Sequence, residues 1–313
     1  MRAVPLLAIA AALGLAAPAT SAVGSGRAAG AARVEAARDD PATLEALLSD
    51  QGAGEGARAR ALLALGRAWP TPLPGSARLR LRNLLADPAS PVRRAAVRLV
   101  RERKERPLER EVLKLVAEDP DPGVRAEALD AVEPWTRPTH LYFLEAALGS
   151  DDPGVRARAV RNLGRLAARD LRPELRGRIR QWVAGGDPRV RAAALRTLAA
   201  WGELTDAALV GVLSDPDAPE FLVLAAVEVA QGRRSADLAE ALTGALEGAT
   251  SLRVAWASFE WLRENAPTEQ RVYPALARIL DGETRTNRAL ETFARHLESA
   301  GYRVEHGKVG WRV

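Results

Sequence analysis

An all-α fold, built as a stack of about eight helical hairpins, follows from three observations. A short phrase recurs along the chain at intervals of roughly thirty residues. An apolar pattern of helical spacing follows each copy, and an apolar pair marks another helix before it. Self-similarity at this period belongs to stacked supersecondary units, each contacting its neighbours, rather than to a domain with one closed core.

The phrase reads Asp121-Pro122-Gly123-Val124-Arg125, then Asp152-Pro153-Gly154-Val155-Arg156, then Asp187-Pro188-Arg189-Val190-Arg191, with a compressed copy at Ser90-Pro91-Val92-Arg93. Aspartate is a favoured N-cap because its carboxylate accepts from the free amides of the first turn. Proline fits the next position, where no intrahelical donor is needed. The phrase is therefore a helix start.

With the valine as zero, apolar residues fall at 0, +4, +5 and +8: Val92, Ala96, Val97 and Val100 in one unit, and Val155, Ala159, Val160 and Leu163 in another. Val124, Ala128, Leu129 and Val132, then Val190, Ala194, Leu195 and Leu198, repeat the pattern. These offsets trace one stripe of a 3.6-residue helix, whereas a strand would alternate. Weaker copies are read at Ala57, Ala61, Leu62 and Leu65, at Leu222, Ala226, Val227 and Ala230, and at Leu252, Trp256 and Ala257.

A first helix precedes each start and ends in a pair such as Leu47-Leu48, Leu84-Leu85, Leu115-Val116 or Ala147-Leu148. The series continues at Trp182-Val183, Val212-Leu213, Ala245-Leu246 and Ile279-Leu280. The last second helix is expected over 286–300, with Ala289, Phe293, Ala294 and Leu297 inward. Eight hairpins then span residues 40–300.

The phrase and its stripe resemble the HEAT repeat, in particular the short bacterial form also called the phycobilisome-lyase-type HEAT-like repeat. The resemblance implies an α-solenoid used mainly for protein–protein contacts, without the lyase activity that named the subfamily. It also implies that the second helices line the concave side. Positions +2, +3 and +6 point away from the apolar stripe, so on that reading Arg94, Arg98, Arg158, Arg161 and Arg196 form a concave surface for a protein or peptide partner of acidic character. The competing reading is an ordinary solvated helix face.

The arginine at +1 recurs at Arg58, Arg93, Arg125, Arg156, Arg191 and Arg253. It sits near a helix N-terminus, where the macrodipole disfavours a cation. Pairing with an aspartate of the same or the adjacent phrase, giving a ladder along the stack, is the simplest cause; a row of ligand-binding guanidiniums is the alternative. Trp69, Trp135 and Trp201 fall at the ends of alternate second helices and read as joint packing, or else as a row for stacking a carbohydrate or peptide.

At the N-terminus, residues 1–22 read as a secretory signal peptide. Arg2 forms the basic start, Val4 to Ala17 the apolar run and Thr20-Ser21-Ala22 the cleavage site, with Ala17-Pro18-Ala19 as a second candidate. The alternative is a retained anchor, against which the shortness of the run argues. Residues 23–39 form a flexible lead-in rich in alanine, glycine and arginine. At the other end, 301–313 read as a β-hairpin turning at His306-Gly307, with Tyr302 opposite Trp311, Val304 opposite Val309 and Glu305 opposite Lys308. It would cap the open end of the stack or offer an edge strand to a partner.

The chain has 45 basic and 40 acidic residues, a net charge of +5, and only Lys104, Lys114 and Lys308 among its basic residues are lysine. Attraction to anionic polymers, nucleic acid included, is the second functional reading, and an export signal argues against a chromosomal target. With no cysteine, thiol chemistry, zinc–thiolate sites and disulfides are excluded. The three histidines, His140, His296 and His306, lie in unrelated contexts, and no phosphate-binding loop is present. No catalytic, cofactor or metal site is expected.

Overall fold

A computed structural model describes residues 32–35, 40–267, 269–282, 288–305 and 308–311. The signal segment, most of the lead-in and the His306-Gly307 turn lie outside these residues. The helices fall into two compact units, one ending at Val132 and the other beginning at Glu133.

The first unit holds three helical pairs: α1 (Pro41–Ser49) with α2 (Glu55–Ala68), α3 (Gly75–Leu84) with α4 (Ser90–Arg103), and α5 (Glu109–Glu118) with α6 (Pro122–Val132). In the second unit, α7 (Leu141–Leu148) pairs with α8 (Pro153–Leu163), α9 (Pro173–Ala184) with α10 (Pro188–Ala200), and α11 (Asp206–Leu213) with α12 (Glu220–Ala230). Next come α13 (Ala236–Glu247) with α14 (Leu252–Asn265) and α15 (Val272–Gly282) with α16 (Arg288–Ser299), followed by β1 (Tyr302–Glu305) and β2 (Lys308–Trp311). Within each unit second helices pack on second helices: α2 on α4 and α4 on α6, then α8 on α10, α10 on α12 and α12 on α14. The fold class is an all-α helical solenoid.

Each start is capped from within its own phrase. Asp121 accepts from the Val124 N–H at 3.1 Å, Asp152 from Val155 at 2.9 Å and Asp187 from Arg189 at 2.8 Å. The compressed copy differs, because α4 begins after Ala89, which has no side chain to offer. The apolar stripe is the core. All four positions are buried in every second helix from α2 to α12, Ala57 and Leu65 through Val190 and Leu198 to Leu222 and Ala230. Each such valine or leucine contributes about 1.5–3 kcal/mol of burial, and the stack provides the partner surface that a lone hairpin lacks.

In α14 the register departs from the expected one. Leu252, Trp256 and Ala257 are only half-buried, whereas Val254, Ser258, Phe259 and Leu262 are buried and keep the 0, +4, +5, +8 spacing. The stripe begins two residues later than the sequence reading placed it. Arg253 therefore precedes the zero position, which explains a side chain 81% exposed that approaches Glu220 only at 3.7 Å. In α16, Phe293 and Leu297 are buried together with Leu290, while Ala294 is half-buried.

Positions +2 and +3 are not uniformly outward either, since Ala95 and Ala192 are buried. Position +7 is buried too, in Leu99, Ala131, Asn162 and Thr197, because it meets the preceding second helix. A Cβ on Gly66 would collide with the Leu99 side chain, and one on Gly164 would lie 2.8 Å from Thr197 Oγ1. Glycine at those two places lets neighbouring second helices close up.

β1 and β2 pair antiparallel, with Tyr302 opposite Trp311, Val304 opposite Val309 and Glu305 opposite Lys308. They lie against α16 and α15. The Tyr302 ring sits 5.8 Å from Tyr273, which stacks on His296 at 5.6 Å, and His296 meets Phe259 edge-on at 5.0 Å.

Candidate functional site

Three of the +1 arginines, Arg58 and Arg93 in the first unit and Arg191 in the second, make rungs of a ladder on aspartates that the phrase itself does not contain. Arg93 clasps Asp119 with two bonds of 2.7 and 2.8 Å and donates to the carbonyls of Asp87 and Pro88 at 2.8 and 2.9 Å. Arg58 does the same one pair earlier, bonding Asp87 at 2.6 Å and the Leu48 carbonyl at 3.0 Å. Arg191 reaches Asp215 at 3.0 Å and the Val183 carbonyl at 3.2 Å. Each guanidinium thus ties the turn of its own hairpin to the turn of the next.

The aspartate used lies two residues upstream of the expected one and is followed by proline in each case: Asp87-Pro88, Asp119-Pro120, Asp215-Pro216. Its carboxylate also accepts the N–H two residues on, from Ala89, Asp121 and Asp217. That upstream Asp-Pro was the signal in the sequence that marks the ladder. Where the corresponding position is Ser150 or Gly185, no carboxylate is offered. There the arginines hold their own turns: Arg125 the Asp119 carbonyl at 2.7 Å, and Arg156 the Ser150 and Asp151 carbonyls at 2.7 and 2.9 Å.

The five arginines read as a partner surface lie on second helices, Arg94 and Arg98 in the first unit and Arg158, Arg161 and Arg196 in the second. Three of them, all at +6, bridge to carboxylates of neighbouring pairs. Arg98 shares Glu127 with Arg101, at 3.7 and 3.1 Å. Arg161 meets Glu133 at 3.1 Å, and Arg196 bonds Glu228 at 3.0 and 2.7 Å. Arg158 donates to the Gly154 carbonyl of its own helix at 3.2 Å.

Arg94 is exposed and adds its charge to the field around Asp121. Burial pushes the Asp121 carboxyl up, but hydrogen bonds from Ser90, Val124 and Gly123, aided by the Arg94 charge, hold it below its ordinary range. The outer face of the second helices is therefore an interleaved surface of arginine and glutamate. The three +6 guanidiniums are paired yet wet, with Arg161 and Arg196 both 46% exposed.

Two tryptophans are tied into joints between pairs. Trp201 Nε1 donates to the Leu166 carbonyl of the preceding pair at 2.9 Å, and Trp261, fully buried, to Ala230 at 2.9 Å. Trp69 and Trp135 are half-buried at the ends of their helices. His140 is buried just before α7, and His296 is held in the aromatic stack described above. Among the described residues no group of three or more histidines and carboxylates is placed to hold a metal ion, and no helix is long and apolar enough to cross a membrane.

No curated protein matches the sequence. Residues 141–222, from the start of α7 into α12, match the family model described as HEAT repeats. The capped starts at Asp152 and Asp187, the apolar stripe and the paired helices of that stretch agree with this likeness, and HEAT repeats commonly mediate protein–protein interaction.

Proposed function

We propose that this protein is a non-enzymatic interaction scaffold of the bacterial cell envelope, built from HEAT repeats of the short, phycobilisome-lyase-type form. It holds a protein or peptide partner on the face of its second helices, through Arg94, Arg98, Arg158, Arg161 and Arg196. The observation that carries this reading is the interleaving of half-exposed arginines with Glu127, Glu133 and Glu228. Such a surface presents both signs of charge and many hydrogen-bonding groups at close spacing, as a protein partner with acidic side chains requires. A polyanion is served less well, because each carboxylate cancels the charge that phosphate groups would seek. Export rests on the basic start, apolar run and small-residue site of residues 1–22. The β1–β2 pair is read as a cap on the last helical pair.

The test is capture of a partner from envelope extract by immobilised wild-type chain and by an Arg158→Glu/Arg161→Glu variant. The variant should keep its helical circular dichroism and lose the partner. Retention of the same partner by the variant overturns the site, and capture of nucleic acid with a steep salt dependence favours the polymer reading. N-terminal sequencing of the protein from its native compartment should begin at Val23 or at Thr20; a chain starting at Met1 in the cytosol overturns export.

A further inference from the structure

Within the second unit arginines strap several first helices to their neighbours. Arg178 on α9 donates to the Leu148 carbonyl ending α7, and Arg172 beside it pairs with Glu145. Arg278 on α15 donates to the Glu247 carbonyl ending α13. Helix α13 itself carries no arginine, and it is tied to α11 at one end only, where Arg233 just ahead of it bonds Asp206 at 2.7 Å and the Leu204 carbonyl at 2.9 Å. Its sequence, Ala236 to Glu247, carries Asp237, Glu240, Ala241 and Gly244 on the side where a strap would start.

The gap left between α11, the turn after it and α13 is a groove of about 790 Å³. Its floor is apolar, from Val210 and Leu213 on one side and Ala241, Ala245 and Val254 on the other. Four carboxylates line it against one guanidinium, that of Arg271. Two of the four are already compensated, Asp215 by Arg191 and Glu220 by Arg253. Asp237 and Glu240 are exposed and face the groove with no ion-pair partner among the described residues. Asp237 has a local reason to be acidic, since it stands in the first turn of α13. Glu240, beyond that turn, has none.

Gly244 adds an independent observation. It sits inside a helix, where glycine is the least favourable residue after proline. Its own fold makes no demand for it: a Cβ there would meet nothing within 4 Å. Glycine at a groove wall lets another chain approach the helix backbone closely.

We infer that this groove docks a short basic peptide segment of a partner protein. An arginine or lysine of the segment bonds Glu240 and Asp237, and its backbone lies across Gly244 on the apolar floor. The groove is on the first-helix layer, so the inference goes beyond the second-helix surface proposed above and stands or falls separately.

The test pans a random heptapeptide display library on the immobilised full chain and measures the best clone, fluorescently labelled, by polarisation. Clones enriched in arginine or lysine are expected, with binding weakened about tenfold or more in Asp237→Asn/Glu240→Lys and in Gly244→Leu. Gly244→Leu fills the groove while raising helix propensity, so it should melt no lower than wild type and decides the matter if the charge variant misfolds. Arg158→Glu/Arg161→Glu should bind the peptide as wild type does. Failure to enrich any clone, clones without basic residues, or binding lost only in Arg158→Glu/Arg161→Glu would each overturn the inference, the last while supporting the second-helix site.

Discussion

Replacing Arg93 by alanine should cost far more stability than the same change at Arg161, although both guanidiniums form ion pairs. The Arg93 side chain is 10% exposed and its partner Asp119 only 1%. Its removal deletes two bonds to that carboxylate and two to the carbonyls of Asp87 and Pro88. Asp119 is then left buried and charged, with the Asp121 N–H still donating to it. Breaking a buried pair from one side costs about 3–5 kcal/mol. An exposed pair such as Arg161–Glu133 is worth roughly 0.2–1 kcal/mol, because water screens it and two long side chains must be ordered.

Urea unfolding followed by circular dichroism reads the difference. With a slope of about 2–3 kcal/mol per molar, Arg93→Ala should lower the midpoint by roughly 1.5 M, and Arg161→Ala by a few tenths. Because the pairs of a stack are coupled to their neighbours, the Arg93 variant should also broaden or split the transition. A double variant, Arg93→Met/Asp119→Leu, removes both charges and should recover most of the loss. Equal midpoints for the two alanine variants would refute the reasoning, since burial would then have no bearing on what these pairs contribute.

Arg156→Ala removes two bonds to carbonyls of its own turn and should cost about 1.5 kcal/mol by the same assay, placing it between the other two. Trp261→Phe removes one of two donors to the Ala230 carbonyl, which keeps the Arg233 N–H at 3.0 Å, and should cost about 0.5–1.5 kcal/mol, read as a lower melting temperature. Gly66→Ala should destabilise by about 1–3 kcal/mol through its clash with Leu99, and Leu99→Ala in the same chain should relieve part of it. Burial, and then the Arg263 charge, hold the His296 imidazole below its ordinary 6.5. Its contribution is present above that value and lost as pH falls through the depressed one, so melting curves of wild type should fall with acid more steeply than those of His296→Phe.

The helices were legible because capping and periodicity act locally. Asp152, Pro153 and Val155 announce a start whatever surrounds them, and offsets of four, five and eight define a face before its partner is known. Where reading failed, the cause lay between repeats. In α14 the string Ser251-Leu252-Arg253 imitates the end of the phrase, and only the packing of Phe259 and Leu262 shows that the stripe begins at Val254. The ladder was expected and its acceptor misplaced, because Asp121 and Asp119 are equally suitable in sequence and only the reach of Arg93 separates them. The +6 arginines were seen as a set, but their glutamate partners sit at unlike offsets in neighbouring units and show no period. The groove beside α13 was invisible because it arises from how α11, the turn after it and α13 pack, which no local pattern records.

Asp87 and Asp119 each hand a carboxylate to the arginine of the preceding pair and a carbonyl oxygen to the arginine of their own. The bonds therefore run unbroken from Arg58 to Arg125, crossing every turn of the first unit. In mechanical terms this is a tendon stitched along one edge of three hairpins. A pull on the two ends of that unit loads all of its rungs in series with the helix packing, so the hairpins should give way together at one force. At Gly185, within the second unit, no carboxylate stands where Arg156 would need one, and the hairpins on either side can peel one at a time. Pulled separately from their own ends, the second unit should lengthen by small steps, whereas the stitched first unit should yield in one.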